Sequence, residues 1–583
     1  MQKFPALAVA VGLLTASCAG HGGSSGMPPM AQSRAGSPLK TASAASAPAG
    51  WSTTSTLALP VANATDLGAA SASQSITVLV GLKLHNMAQL QQAVASGTVL
   101  SDATVNSAYG PTSSDVSAVT TYLQSKGLTN ISVEPNNLLI SATGTIAQVQ
   151  SAFDTSIHSF SGGGTNFNAN VTPAYVPTSL GGIVASVLGL NNLQAFKPTP
   201  SVTSCEVEGQ STPPQACLRF YDPATFQVAY DAGSTSAASA TSVAIMAEGN
   251  VSQSISDLRL NESQFGLPQV PVHQIQVGVA STDTSGDTEW TLDMTYSSGI
   301  AQNLKAIDLY VTTSLTDSDI ALEYNRWVTQ HYTNIANSSF GGCEVFPYLD
   351  GSMVMDDEIL LEGASKGMTM FASSGDNGGY CNNLVDTNGA PGGAPFVEYP
   401  AASPYVVAVG GTDLFTNADG TYKGETAWEA GGGGLSQFEY SPYWETQAQP
   451  VSKNGESMRG VPDVAMDASL ETGAELWGGS AVNGSCTPCV TGGTSLASPL
   501  SAGVWARVQT AHGNRLGFAP VWYYKDFVGN AAGAMNAGPP PWQPDGGFHD
   551  VVSGSNGLYT AAPGYDYTTG LGSVDISVLN SQL

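Results

Sequence analysis

Ser495 stands in Gly492-Gly493-Thr494-Ser495-Leu496-Ala497-Ser498-Pro499, where a glycine pair gives way to an apolar helical pattern running through Trp505 and Val508. A hydroxyl at a helix start lies beside backbone N–H groups that have no partner within the helix. Such donors help hold a developing oxyanion. The same placement suits a serine that only caps the helix, and taken alone the two readings weigh equally. A serine nucleophile also needs a base. Glu289 and Asp293 lie four residues apart in Glu289-Trp290-Thr291-Leu292-Asp293, so on a helix they share one face. Two carboxyl groups that close can share a proton, with one of them held neutral above the ordinary carboxylate range. A solvated acidic face is the plainer reading, but Trp290 and Leu292 interleave the pair in a chain poor in charge. Glu289 is thus the candidate acceptor of the Ser495 proton, with Asp293 orienting and relaying.

Two further constellations carry chemistry. Ser373-Ser374-Gly375-Asp376-Asn377-Gly378 follows a strand-like run, Met368 to Ala372. In a parallel sheet the loops at strand C-termini build active sites. Asp376 is either part of an ordinary Asp-Asn-Gly turn or a protonated acid donating to an oxyanion. The second role requires a raised pKa or an acidic medium. Near the C-terminus, His549-Asp550-Val551 and Ala562-Pro563-Gly564-Tyr565-Asp566 combine two carboxylates with loop carbonyls. These are hard oxygen donors suited to calcium, although EF-hand spacing is absent.

The order Gly-Thr-Ser-x-Ala-x-Pro resembles the serine motif of the subtilisin clan, whose base is a histidine in a His-Gly-Thr-His context. The seven histidines are His21, His85, His158, His273, His331, His512 and His549. His21 and His512 precede glycine, but neither is followed by Thr-His. No histidine fits, which turns the search for a base to Glu289.

The elements that must position these residues follow from periodicity. In the first part of the chain, strands are expected at Thr77 to Leu82 and around Leu138 to Ile140. Helices are expected on Met87, Leu90 and Val94, on Val116, Val119 and Leu123 with Gly127 as stop, and on Ile146, Val149 and Phe153. This mixture predicts a small α+β sandwich with helices on one sheet face. Later segments alternate: strands at Val243 to Met246, Ala306 to Val311, Met368 to Ala372 and Tyr405 to Val409, and helices at Asp287 to Ile300 and Asp356 to Lys366. That alternation predicts an α/β domain on a largely parallel sheet. The expected organisation is a signal segment at 1–18, a tether at 19–50, a first domain at 51–195, a Pro- and Ser-rich linker at 196–217, and the α/β domain at 218–583.

Composition bounds the setting. The chain has 583 residues, 42% of them hydrophobic, so it is long enough for two or more globular domains. Only 11% are charged, and 17 Lys plus Arg face 45 Asp plus Glu for a formal charge of −28. That balance excludes a basic nucleic-acid surface and suits an acidic medium. One lysine, the apolar run Phe4 to Leu14, and Thr15-Ala16-Ser17-Cys18 read as a secretory signal. Cys18 could equally be a lipid-attachment cysteine, the only expected link to a membrane. An exported chain with six further cysteines suggests disulfides, expected as Cys205 with Cys217, Cys343 with Cys381, and Cys486 with Cys489. A redox or zinc role for Cys486-Thr-Pro-Cys489 lacks a second such pair or nearby histidines.

Glu289, Asp293, Asp376 and Ser495 occur in the order and contexts of the sedolisins, the serine-carboxyl peptidases, and the resemblance covers almost everything after the tether. The first domain resembles the family's activation prodomain in Ala108-Tyr109-Gly110-Pro111-Thr112 and in Gly144-Thr145-Ile146-Ala147-Gln148-Val149 before Ala152-Phe153. Likeness to the bacterial pseudomonalisin type shows in Val251-Ser252-Gln253, Gly342-Cys343-Glu344 and Cys381-Asn382-Asn383. The resemblance implies a ferredoxin-like α+β prodomain ahead of a subtilisin-like parallel-sheet catalytic domain. It implies Ser495 as nucleophile, Glu289 as base and then acid, Asp293 as its support and Asp376 as oxyanion stabiliser. It also implies one structural Ca2+ held by the side chains of Asp550 and Asp566 and the carbonyls of Val551, Ala562 and Gly564. Ala562 departs from the usual glycine, which a carbonyl ligand tolerates. Ala247 stands where some relatives place a further glutamate coupled to the triad, with Glu248 one place on, so that extension is expected to be missing.

The expectation is an exported, acid-acting endopeptidase. It would be secreted or held in the cell envelope, act as a monomer on protein or peptide substrates, and process itself within 196–217, with its prodomain as intramolecular inhibitor and chaperone. An exported adhesion protein on an inactive peptidase fold would predict a broken set of four residues. A pepsin-like peptidase needs two Asp-Thr-Gly or Asp-Ser-Gly loops, whereas Asp283-Thr-Ser-Gly and Asp386-Thr-Asn-Gly each carry an extra residue.

Overall fold

Side-chain alternation explains how the N-terminal sheet is used on both faces. The structure, a computed structural model, describes residues 46–59, 64–162, 165–193, 201–204, 220–381, 395–448, 458–478, 480–481, 484–485, 488–534 and 546–583. In the strand Ser75–Leu82, Val78, Val80 and Leu82 point one way and Leu79 the other. The first set packs against Val119 and Leu123 of the helix Ser113–Ser125 and Ile146 and Val149 of the helix Ile146–Phe153. Leu79, Leu139 and Leu188 join the core of the following domain instead.

The strands run in the order Thr129–Val133, Leu139–Thr145, Ser75–Leu82, Val184–Leu188, every neighbour antiparallel. With the interleaved helices this is the ferredoxin-like arrangement. Thr112 and Thr145 cap their helices through full capping boxes with Asp115 and Gln148, which sets both helix starts. The expected layering needs one correction. The helix Met87–Ala95 does not join the other helices on the sheet, because its buried Leu90 and Val94 belong to the core shared with the second domain. Gly81 lets this sheet approach that domain: a Cβ there would strike the thioether of Met355 in the helix Ser352–Ser365.

The second domain is built on eight strands. In sheet order the first six are Val272–Gln276, Ile307–Thr312, Val243–Glu248, Ile335–Ser338, Thr369–Ser373 and Val406–Thr416. All of these pair in parallel, as does Val464–Asp467 with Val406–Thr416; only Tyr422–Ala427 runs antiparallel. Every residue of Val243–Glu248 and Ile307–Thr312 is buried, as a sheet covered on both faces demands. The helix Asp287–Ala301 is buried along its whole length and packs on the helix Thr494–Ala511. Gly503 sets how closely these two approach, since a Cβ there would collide with the Ser297 carbonyl and lie 2.5 Å from Ile300 Cγ2.

Candidate active site

Two parallel-sheet loops and two central helices converge at the C-terminal edge of the sheet. Glu289 and Asp293 lie in the first two turns of the helix Asp287–Ala301, with Glu289 in its electropositive first turn. Ser495 is the second residue of the helix Thr494–Ala511. Asp376 follows the strand Thr369–Ser373, and Ser339 follows Ile335–Ser338. Loops at strand ends of a parallel sheet carry the chemistry of such folds.

The Glu289 carboxyl is fully buried, and neither of its oxygens has a formed hydrogen bond among the described residues. Burial, and then the neighbouring Asp293 carboxyl, hold it well above the ordinary carboxylate range; the Ser495 hydroxyl opposes that shift. Ser495 Oγ is therefore beside Glu289, although its resolved contact is with the Ser339 carbonyl at 3.5 Å. That length is a weak bond, and rotation of the hydroxyl toward Glu289 is the alternative.

Asp293 is also fully buried and raised well above the usual range by desolvation, with Ser339 and Asn337 opposing. A polarised chain reaches it. Ser498 Oγ donates to Asn337 Oδ1 at 2.6 Å, Asn337 Nδ2 donates to Ser339 Oγ at 2.9 Å, and Ser339 Oγ donates to Asp293 Oδ1 at 2.6 Å. The amide can only donate through its nitrogen, so the direction is set and Oδ1 is an acceptor. The proton shared with Glu289 must then sit on Asp293 Oδ2, which has no partner among the described residues, or on Glu289 itself.

Asp376 Oδ1 accepts from the Thr494 backbone N–H at 2.8 Å and from Thr494 Oγ1 at 2.9 Å. Its Oδ2 is buried and without a partner among the described residues. Burial pushes this carboxyl up to about 6 despite both Thr494 bonds. Gly493, at φ +91°, has no side chain to collide with Oδ2. Asp376 is thus a carboxyl with one oxygen anchored and the other free, protonated in mildly acidic solution.

Neither Ser339 nor Asn337 was expected from sequence, because no spacing ties the residues after one strand to a carboxylate on a helix. Ser498 and Thr494 lie in the serine motif but carry no signal separating support from capping. Burial, and then Asp283, push Glu248 up to about 7. The six described histidines contact other groups, such as Asp115 for His85 and the Asn580 carbonyl for His512. The Cys343–Cys381 disulfide is present and ties the end of the Asp376 loop to Gly342–Cys343. Cys489 is disulfide-bonded as well; Cys205, Cys217 and Cys486 lie outside the described residues.

The C-terminal loops place Asp550 and Asp566 together. Asp566 is fixed by the Thr568 and Thr569 backbone N–H groups at 2.8 and 2.9 Å and by Ala562 N–H at 2.9 Å. Gly564 N–H donates to Asp550 at 3.0 Å. Burial, and more weakly the Asp566 charge, push Asp550 up to about 6. The carbonyls of Val551, Ala562 and Gly564 accept no hydrogen bond among the described residues. No cluster of three or more His, Cys, Asp or Glu suited to a metal occurs among them, so a cation here would rely on carbonyls.

Residues 62–193 match the pro-kumamolisin activation domain, and residues 276–535 match the subtilase family. The chain is 35% identical to sedolisin of Pseudomonas sp. (strain 101) over 545 residues, 88% of each chain. It belongs to the sedolisin family. Xanthomonalisin of Xanthomonas sp. (strain T-22) is also 35% identical, over 88% of this chain and 66% of that one. The solved Pseudomonas sedolisin, a serine-carboxyl proteinase, is 34% identical and superimposes with a TM-score of 0.55 over 62% of this chain and 97% of its own. The protein is a serine-carboxyl peptidase made as a self-processing precursor with its own activation domain. Among the described residues no helix is long and apolar enough to cross a membrane.

Proposed function

We propose that this sedolisin-family chain is an exported, acid-acting endopeptidase in which Ser495, Glu289, Asp293 and Asp376 carry the reaction. The observation that supports this most is the meeting of Ser495 with three carboxyl groups, each raised above its ordinary range and two of them fully buried, and with no histidine among the described residues. Ser495 Oγ attacks the peptide carbonyl carbon as its proton passes to Glu289. The oxyanion accepts a hydrogen bond from protonated Asp376 Oδ2. Collapse breaks the C–N bond, and Glu289 returns the proton to the leaving amine. Water then repeats the sequence on the acyl-enzyme, giving the acid product and free Ser495. Asp293 stabilises the proton on Glu289 and is itself oriented by Ser339.

The activation domain spans 51–195 in this reading, with self-cleavage within 196–217 and an exported product that acts as a monomer. Asp550 and Asp566, with the carbonyls of Val551, Ala562 and Gly564, would hold one calcium ion. The donor set fits: two converging carboxylates and carbonyls without hydrogen bonds are what a hard cation completes. Bound there, calcium would neutralise the Asp550–Asp566 repulsion and pin the C-terminal loops.

Acidifying the purified precursor and following its mass tests the assignment. The wild type should lose its N-terminal domain, and Ser495→Ala should remain full length. A Ser495→Ala chain that matures and cleaves protein normally would show that the nucleophile lies elsewhere.

A further inference from the structure

Thr494 stands between the two groups that meet the substrate: Ser495 follows it in the chain, and Asp376 is bonded to it. Three hydrogen bonds tie it to the loop after the strand Thr369–Ser373. Its backbone N–H donates to Asp376 Oδ1 at 2.8 Å, and its hydroxyl donates to the same oxygen at 2.9 Å. The hydroxyl oxygen in turn accepts from the Gly375 N–H at 3.0 Å. A backbone N–H can only donate, so the Thr494 hydroxyl is the acceptor there and its single hydrogen is left for Asp376. Thr494 is buried, which shelters these bonds from solvent.

Both donors converge on one carboxyl oxygen. Oδ1 is thereby fixed as an acceptor, and the acidic proton of Asp376 belongs on Oδ2, which has no partner among the described residues. The clamp aims the acid, but it also works against it. A hydrogen bond to a carboxylate is stronger than one to the neutral acid, so each Thr494 donor favours loss of the proton. Burial pushes Asp376 up, and the Thr494 N–H and then its hydroxyl limit the rise to about 6. The titratable groups facing Asp376 are themselves carboxyls. Glu289 on the helix Asp287–Ala301 and Glu398 on the short strand Glu398–Tyr399 both feel its charge. Glu429 lies on the segment whose Ala430 carbonyl accepts from Gly378. On the nucleophile's own helix the charged residue is Arg507, bonded to the carbonyls of Ile300, Ala232 and Thr235.

We propose that the Thr494 hydroxyl is a positioning group that sets the upper pH limit of catalysis: it holds the oxyanion acid by its idle oxygen and so makes the acting oxygen give up its proton sooner. This rests on the assignment of Ser495 and Asp376 above. Catalysis needs Asp376 protonated, so the alkaline limb of activity follows this carboxyl. Without the Thr494 hydroxyl, Asp376 keeps its proton to higher pH, while Gly375 and the carboxyl lose part of their anchorage. The variant is therefore a less active enzyme that works over a wider range.

The experiment uses the matured enzyme and one peptide, with kcat/KM followed from about pH 4 to about pH 8. Each profile is scaled to its own acid plateau, so partial misfolding lowers a curve without moving its limb. In Thr494→Val the alkaline limb should move up by about half to one pH unit. Above both limbs the scaled activity should then exceed that of the wild type by about three- to tenfold. Thr494→Ser keeps the hydroxyl and should return the limb to its wild-type place. Thr494→Cys, whose thiol donates weakly, should shift the limb the same way by a smaller step, and it supplies the readout where the valine enzyme is too weak to assay. In Asp376→Asn, which has no carboxyl here to titrate, Thr494→Val should leave the shape of the profile unchanged. A limb that stays in place or moves down in Thr494→Val and Thr494→Cys overturns the proposal. So does the same upward movement in the Asp376→Asn background, which would assign the limb to another group. Failure of the Ser495 assignment would show separately, as an active Ser495→Ala.

Discussion

Replacing Asp376 by asparagine separates the proton from the position. In Asp376→Asn the amide oxygen could keep both Thr494 donors, at 2.8 and 2.9 Å in the wild type, and the amide nitrogen would present N–H groups where Oδ2 now lies. The oxyanion donor would then be permanent, whereas the carboxyl donates only while protonated. With Asp376 titrating at about 6, roughly half the wild-type molecules hold the donor at that pH and about a tenth at one unit above. The ratio of kcat/KM, Asp376→Asn over wild type, should therefore rise with pH. It should be about twofold higher at about pH 6 and about tenfold higher at about pH 7 than its value near pH 4. Asp376→Ala, with no donor, should lose about 10²- to 10³-fold near pH 4, and the loss should shrink about tenfold by about pH 7 as the wild type gives up its own donor. The assay is steady-state hydrolysis of one peptide across that range by all three proteins. A ratio for Asp376→Asn that stays flat with pH would refute the idea that Asp376 must carry a proton to act.

Ser339→Ala should leave Asp293 Oδ1 without its 2.6 Å donor. It should cost about 1–3 kcal/mol in kcat/KM, measured beside a thermal melt to separate catalysis from folding. Chelation of calcium, or Asp566→Ala, should lower the melting temperature of the matured enzyme, and excess Ca2+ should restore it after chelation but not in the variant. Glu344, fully buried and pushed up to about 8 by desolvation, binds more protons folded than unfolded. Its contribution is therefore complete below about 4.5 and is lost as pH rises through about 8, at about 1.4 kcal/mol per unit. Denaturant titrations between about pH 4.5 and about pH 8 should show a shallower loss of stability in Glu344→Gln.

Residue identity carried much of the candidate site in the sequence. Ser495 and the Glu289–Asp293 pair announce themselves by motif, spacing and the absence of a suitable histidine, and the structure brings them beside Asp376. Periodicity located the helices Ser113–Ser125 and Ile146–Phe153 and the strand Val243–Glu248 because each buries one face or all of its length. What stayed hidden acts through space. Asn337 and Ser339 sit at the end of the strand Ile335–Ser338, far in sequence from Asp293, and only the packing of that strand end on the helix Asp287–Ala301 brings them together. The Met87–Ala95 helix has ordinary amphipathic spacing, which cannot say whether its apolar face meets its own sheet or a neighbouring domain.

The two-faced N-terminal sheet also bears on maturation. While the chain is whole, Leu79, Leu139 and Leu188 are sheltered by the second domain. Once the connection is cut and the domains part, that greasy underside meets water. A freed N-terminal domain should therefore be less stable than the same domain docked, and the apolar cover it loses would make undocking costly and redocking favourable as long as it stays folded.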